Sequence, residues 1–223
     1  MATRERPLQS LLLSLVLCLV GVDGMAYEEP TFSVVAEFER FEVRRYEPYI
    51  VAETIVAGDL RSSGNRAFRR LFGYISGDNR GDEKIKMTIP VSSYQPREPI
   101  DMGGPMVSAP ADNDAAAGVT ERYAYYFVMP SKWTLDTLPE PADDSIRLRR
   151  VPAATMAVRE FSGNSSEKNY TTHRSILFDA LEEAGIEPVG PAQFARYNGP
   201  FTLWFLRRNE AMVEVDPATL PER

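Results

Sequence analysis

Cysteine is nearly absent from this 223-residue chain. Cys18 is the only one, and it lies inside the apolar run Leu11–Val20 near the start. Beyond that run there is no thiol, which excludes disulfides, thiolate nucleophiles, zinc–thiolate centres and iron–sulfur clusters from the rest of the chain. Histidine is equally scarce: a Ser–His–Asp arrangement would have to use His173, the one histidine. GxSxG, HExxH, CxxC and glycine-rich phosphate-loop patterns are all missing, so no familiar catalytic motif is present. Basic tracts are missing too. Twenty-five Lys and Arg stand against 32 Asp and Glu, for a net charge of −7, a balance unsuited to nucleic acid. No second long apolar run follows Val20.

The N-terminus has the grammar of a secretory signal: Arg4 and Arg6, then the apolar run, then small residues at Gly24 and Ala26. The pattern predicts a signal peptide over 1–26 and a secreted or periplasmic mature chain over 27–223, with no stable membrane insertion once the leader is removed. An uncleaved leader acting as a membrane anchor is the alternative.

The informative presence is a duplication. FEVRRYEPYIVAETIVAGD, from Phe41 to Asp59, returns as IRLRRVPAATMAVREFSGN, from Ile146 to Asn164. The offset is 105, Ile146 standing where Phe41 stands, and it holds without a gap. Both copies end in Gly followed by Asp or Asn, just before a helical pattern. Glycine tolerates the turn and the next side chain can cap the first helical amides.

Alternating polarity predicts strands at Phe32–Glu39, Phe41–Glu47, Tyr49–Ala57, Lys84–Val91 and Val119–Met129, then near 192–198 and over Phe201–Val215. Helices are predicted over about Ser62–Ser76, with Phe68, Leu71, Phe72 and Ile75 as its apolar stripe, and over Ser165–Ala184. Asn164 and Glu167 read as a capping box for the second helix, and Gly185 as its stop. The expected class is α+β with an antiparallel sheet, its duplication making a pseudo-symmetric pair of strand–helix–strand units that share one core.

Four further stretches carry a family resemblance: KIKMTIPV at Lys84–Val91, YFVMPSKWTLDTLPEP at Tyr126–Pro141, ARYNGP at Ala195–Pro200 and FLRRNEAMVEV at Phe205–Val215. In this order and spacing the chain resembles the SOUL heme-binding protein family from Tyr27 to Val215. The resemblance implies a twisted, antiparallel, barrel-like sheet with two helices, built from two pseudo-symmetric βαββ repeats over about 41–95 and 146–215 and similar to the effector-binding domains of bacterial regulators. It also implies reversible, non-catalytic binding of heme or a related tetrapyrrole in a hydrophobic groove beside the first helix, as carrier, buffer or scavenger. Carried onto this sequence, the groove residues are Ala67, Phe68, Arg69, Arg70, Leu71 and Tyr74, with Arg66 as a neighbouring base. Some members have a methionine where this helix has Phe68, and phenylalanine cannot ligate iron.

His173 is the obvious candidate for an axial ligand. The repeat sets it opposite Phe68, on an apolar stripe, where a hydrogen-bonded structural histidine is the plainer reading. Met87, Met102, Met106 and the strand tyrosines Tyr123, Tyr125 and Tyr126 are further conceivable contacts whose ordinary roles are packing and sheet formation. Two other functions fit the same features: a sensing or interaction module using the groove for a different apolar ligand, and a tetrapyrrole-modifying enzyme.

Overall fold

The computed structural model describes residues 27–96 and 121–221; the predicted leader, Met102 and Met106 lie outside them. Nine strands form one antiparallel sheet, curled into a half-barrel, in the order β1-β2-β7-β9-β8-β4-β5-β3-β6. The strands are β1 (Phe32–Glu37), β2 (Glu42–Tyr46), β3 (Tyr49–Ala57), β4 (Val91–Tyr94), β5 (Arg122–Val128), β6 (Ile146–Val151), β7 (Ala154–Phe161), β8 (Gln193–Arg196) and β9 (Asn209–Glu214). The helices are α1 (Leu60–Ser76) and α2 (Glu167–Ala184).

The duplication is written into the hydrogen-bond register. Beyond β1, the order reads identically from either end once β2 is matched with β6, β7 with β3, β9 with β5 and β8 with β4. The halves exchange strands: β2 pairs with β7, and β6 with β3. Arg44 lies opposite Met156 and Val51 opposite Arg149, pairs that the offset of 105 interconverts. Each helix follows a glycine at positive φ, Gly58 at 117° and Gly163 at 110°, a backbone region costly for any residue with a Cβ.

Local chemistry sets the helix ends. The Asp59 carboxylate accepts from the Ser62 hydroxyl at 2.6 Å and from the Ser62 and Arg61 amides at 2.9 and 3.0 Å, and these bonds, the hydroxyl's first, hold its pKa below the usual carboxylate range. In the second copy the cap falls two residues past the predicted Asn164: Ser166 Oγ accepts from the Asn169 amide. Gly185, in the left-handed region at φ 68°, ends α2 as predicted.

Three predicted elements differ. Residues 84–90 make no ladder, and the strand is Val91–Tyr94 instead; Pro90 has no N–H to donate, and the segment is held by single bonds such as Ile85 N to Ile75 O. The long final strand is shortened to β9, preceded by a loop with one 3-10 turn at Trp204–Leu206. The apolar stripe of α1 is rotated: Leu60, Ala67, Leu71, Tyr74 and Ile75 are buried, while Phe68 and Phe72 are 38% and 47% exposed.

Both helices cover one face of the sheet, α1 over β3 and β5, α2 over β7 and β9. The main core fills the space beneath them. The helix-free face carries a second apolar cluster around Tyr46, Met156, Val158, Tyr197 and Met212. Into this face is set a buried charge network. Glu210 is fully buried and accepts from Arg44 Nη1 at 3.0 Å, Tyr197 Oη at 2.7 Å and Arg208 Nη2 at 2.7 Å. Burial works against the Arg44 charge, but Glu210, Tyr46 and Glu42 together outweigh it and the guanidinium pKa is raised.

Candidate functional site

Helix α1 has two flanks of different character. Arg66 donates to the Ala57 carbonyl, and Arg70 to Thr54 Oγ1 at 3.5 Å with Asp143 at 4.0 Å. These two arginines therefore occupy the flank toward β3 and β6. On the other flank Phe68 and Phe72 stack, centroids 5.7 Å apart and planes within 11°. Phe68 also meets the Phe127 ring of β5 edge-on at 5.6 Å. Since β5 lies between β3 and β4, this aromatic shelf faces the middle of the sheet. Arg69 is exposed. Ala67, Leu71 and Tyr74 lie beneath the helix, fully buried, with Tyr74 Oη donating to the Pro139 carbonyl at 2.9 Å.

Helix α2 presents its own inner flank across the central strands. Tyr170, Arg174 and Phe178 line a cleft of about 680 Å³ whose floor includes Ser93 of β4 and Phe194 of β8 and whose far wall includes Tyr123. That volume lies within the roughly 300–1,000 Å³ typical of small-molecule sites. Tyr170 stacks on Phe194 at 4.7 Å. Next to this cleft, outside its lining, one transverse row of the sheet reads Phe127, Val91, Arg196, Asn209. It links the strand beneath the α1 shelf to the strands beneath α2.

His173 belongs to neither wall. It lies on the flank of α2 opposite Arg174 and Phe178, with its ring stacked on Phe161 at 4.1 Å and 7°. Its Nδ1 accepts from Arg159 Nε at 3.2 Å, and Arg159 also donates to the Arg40 carbonyl at 2.6 Å. The structure thus does not bring His173 together with Phe68. Burial and the Arg159 charge push the imidazole pKa down. The groups facing it are Phe161, Arg159 and, behind Arg159, Arg40, and protonation would turn an accepting nitrogen into a donor against a guanidinium. A depressed pKa contributes stability above the unfolded value and loses it as pH falls through the folded value. His173→Phe, which installs the residue of the first repeat, is expected to flatten the stability loss of the parent between about pH 7 and 5; denaturant midpoints across that range measure it.

The strand tyrosines are not phenolates. Burial pushes the pKa of Tyr123, Tyr125 and Tyr126 upward, and Tyr125 Oη is engaged with Ser63 Oγ and the Leu60 carbonyl. Met87 is half-buried against the main core. No group of three or more His, Cys, Asp or Glu suited to a metal occurs among the described residues, nor is any described helix long and apolar enough to cross a membrane.

A smaller pocket of about 320 Å³ opens on the helix-free face, walled by Tyr46, Tyr49, Tyr94 and Tyr126. Beside it Glu53 receives Arg149 at 2.6 and 3.1 Å and Tyr94 Oη at 3.0 Å. Burial, with the Glu53 charge adding to it, pushes Tyr94 up to about 12.

The family profile described as SOUL heme-binding protein matches residues 27–214. The chain belongs to the SOUL heme-binding protein family. Among SOUL relatives, mouse heme-binding protein 2 is 28% identical over 208 residues, covering 87% of this chain and 93% of the mouse protein. Heme-binding protein 1 of Xenopus tropicalis is 27% identical, covering 63% of this chain and 66% of that protein. In structure the chain is similar to the C-terminal domain of EcmrR, with a TM-score of 0.56 at 11% identity, over 79% of this chain and 97% of that one. A hydrolase from Listeria innocua follows at 0.51 and 9%, over 82% and 94%. At these identities the structural likeness establishes the fold alone.

Several residues of this candidate site escape sequence reasoning. Phe72 is visible as the i+4 partner of Phe68, but its exposure is not. Ser93, Tyr170, Arg174 and Phe178 come from a strand and a helix far apart in sequence, and only the sheet order brings them to one cleft, with Arg196 on the strand next to Ser93.

Proposed function

We propose that this SOUL protein binds heme or a related tetrapyrrole, reversibly and without catalysis, in the trough between α1 and α2, and acts as a carrier, buffer or scavenger outside the cytoplasm. The observation that carries the reading is the stacked Phe68–Phe72 pair, left exposed on the flank of α1 that faces the middle of the sheet. An exposed aromatic platform beside an open cleft suits a flat apolar ring. Of the arginines named on α1, Arg69 alone is free to approach a ligand there without breaking a hydrogen bond. The secretory pattern of residues 1–26 supports the extracytoplasmic setting.

A hemin titration followed by absorbance tests this, with His173→Ala beside the parent. Saturable one-to-one binding with a shifted Soret band is expected in both proteins, because His173 lies on the outer flank. Loss in the variant would make the histidine an iron ligand, and no saturable binding in the parent would remove heme from the reading. The second reading drawn from the sequence, a sensing or interaction module using the groove itself, would require an apolar ligand that competes with hemin; a sensing module built instead on the tyrosine-walled pocket of the opposite face would bind its ligand without competing.

A further inference from the structure

Arg196 of β8 is a half-buried guanidinium with no acid partner among the described residues. Arg44 and Arg208 are paired with Glu210, and Arg149 with Glu53; Arg159 has no acid either, but it hydrogen-bonds His173 Nδ1 and the Arg40 carbonyl. Arg196 instead lies 5.5 Å from the centre of the Phe194 ring. Its Nε is buried and has no hydrogen-bond partner. On the neighbouring strand β4, Ser93 is 1% exposed and its Oγ is equally unpartnered. Val91 pairs with Arg196 and Ser93 with Phe194, so the two side chains sit diagonally on one face, the face beneath the helices. Ser93 also lines the cleft beside α2.

Buried donors are ordinarily satisfied, and an unmet one beside an unmet hydroxyl is a standing cost to the fold. Nothing negative among the described groups offsets the burial of this cation, and its pKa is pushed down by burial, with the Tyr125 hydroxyl the one group acting against that. A group bearing negative charge and two acceptor oxygens meets both needs at once: a fork of guanidinium nitrogens on one side, a hydroxyl on the other.

We infer that Arg196 and Ser93 form a carboxylate-binding floor in the trough, and that the ligand of this site is an amphipathic ring bearing at least one carboxylate. The assignment rests on the tetrapyrrole reading and narrows it. Recognition of the acid then comes from the sheet, while Arg66 and Arg70 of α1 keep structural roles on the opposite flank. An uncharged ester of the same ring keeps the aromatic contacts and loses the ionic one.

The experiment compares protoporphyrin with its dimethyl ester, by fluorescence titration, on the parent, Arg196→Gln, Arg196→Lys and Ser93→Ala proteins. The parent is expected to favour the diacid by about tenfold or more. Arg196→Gln is expected to lose that preference, with its fold checked independently by a thermal melt beside the parent. Arg196→Lys recovers part of the preference, and Ser93→Ala loses a smaller part. An undiminished preference in Arg196→Gln overturns the carboxylate floor and leaves the tetrapyrrole site standing. Failure of both porphyrins to bind the parent overturns the site and the floor together.

Discussion

Replacing Glu210 with glutamine is expected to cost about 3–5 kcal/mol of stability, the largest effect of any single substitution on the helix-free face. The carboxylate is fully buried and is the common acceptor of Arg44, Tyr197 and Arg208. Arg44 is itself 3% exposed, so glutamine would strand a guanidinium where water cannot solvate it. An amide also offers one acceptor oxygen in place of two. Arg208 has Glu29 and Glu160 as further partners and can compensate; Arg44 retains the neutral Tyr46 hydroxyl and one acid, the half-buried Glu42. Urea unfolding should show a lower midpoint with an unchanged slope. A change below about 1 kcal/mol would mean that the network is no more than an exposed ion pair in its energetics.

Removing the aromatic shelf, Phe68→Ala with Phe72→Ala, is expected to weaken hemin binding about 30- to 100-fold while lowering stability little. Burial of about 300 Å² of apolar ring surface yields roughly 7 kcal/mol, and association consumes about 4 kcal/mol or more of it. The surplus is small, so two stacking partners decide whether binding is measurable. Both rings already have substantial exposure in the free protein, which is why truncation leaves no large cavity. Parallel titrations and melts separate the effects: an affinity loss that tracks a stability loss would point to a shared structural cause and against a binding role.

The large features of the fold were legible because they are local or repeated. The doubled stretch predicted two equivalent halves, and the register of β2 on β7 and β6 on β3 carries the same offset. Gly58, Gly163 and Gly185 marked helix boundaries through backbone chemistry that no tertiary contact overrides. The site was legible only in outline. An apolar stripe including Phe68 and Phe72 looks identical whether it meets a core or a ligand, and the rotation of α1 on β3 and β5 decides between them. Glu210 alternates with Asn209 and Ala211 as a solvent-facing strand residue would; three side chains converging from β2, β8 and the turn before β9 bury it. Arg196 is one arginine among many until every carboxylate near it is accounted for.

The most direct test of the tetrapyrrole site is where a bound ring sits. Zinc protoporphyrin, diamagnetic and with a strong ring current, can be titrated into isotope-labelled protein and followed by backbone and aromatic NMR shifts. The largest shifts are expected at Phe68, Phe72, Val91 and Arg196, with Tyr46 and Tyr49 on the opposite face unmoved. Shifts concentrated on Tyr46, Tyr49 and Tyr126, with α1 silent, would contradict the trough and place the ligand in the tyrosine-walled pocket instead.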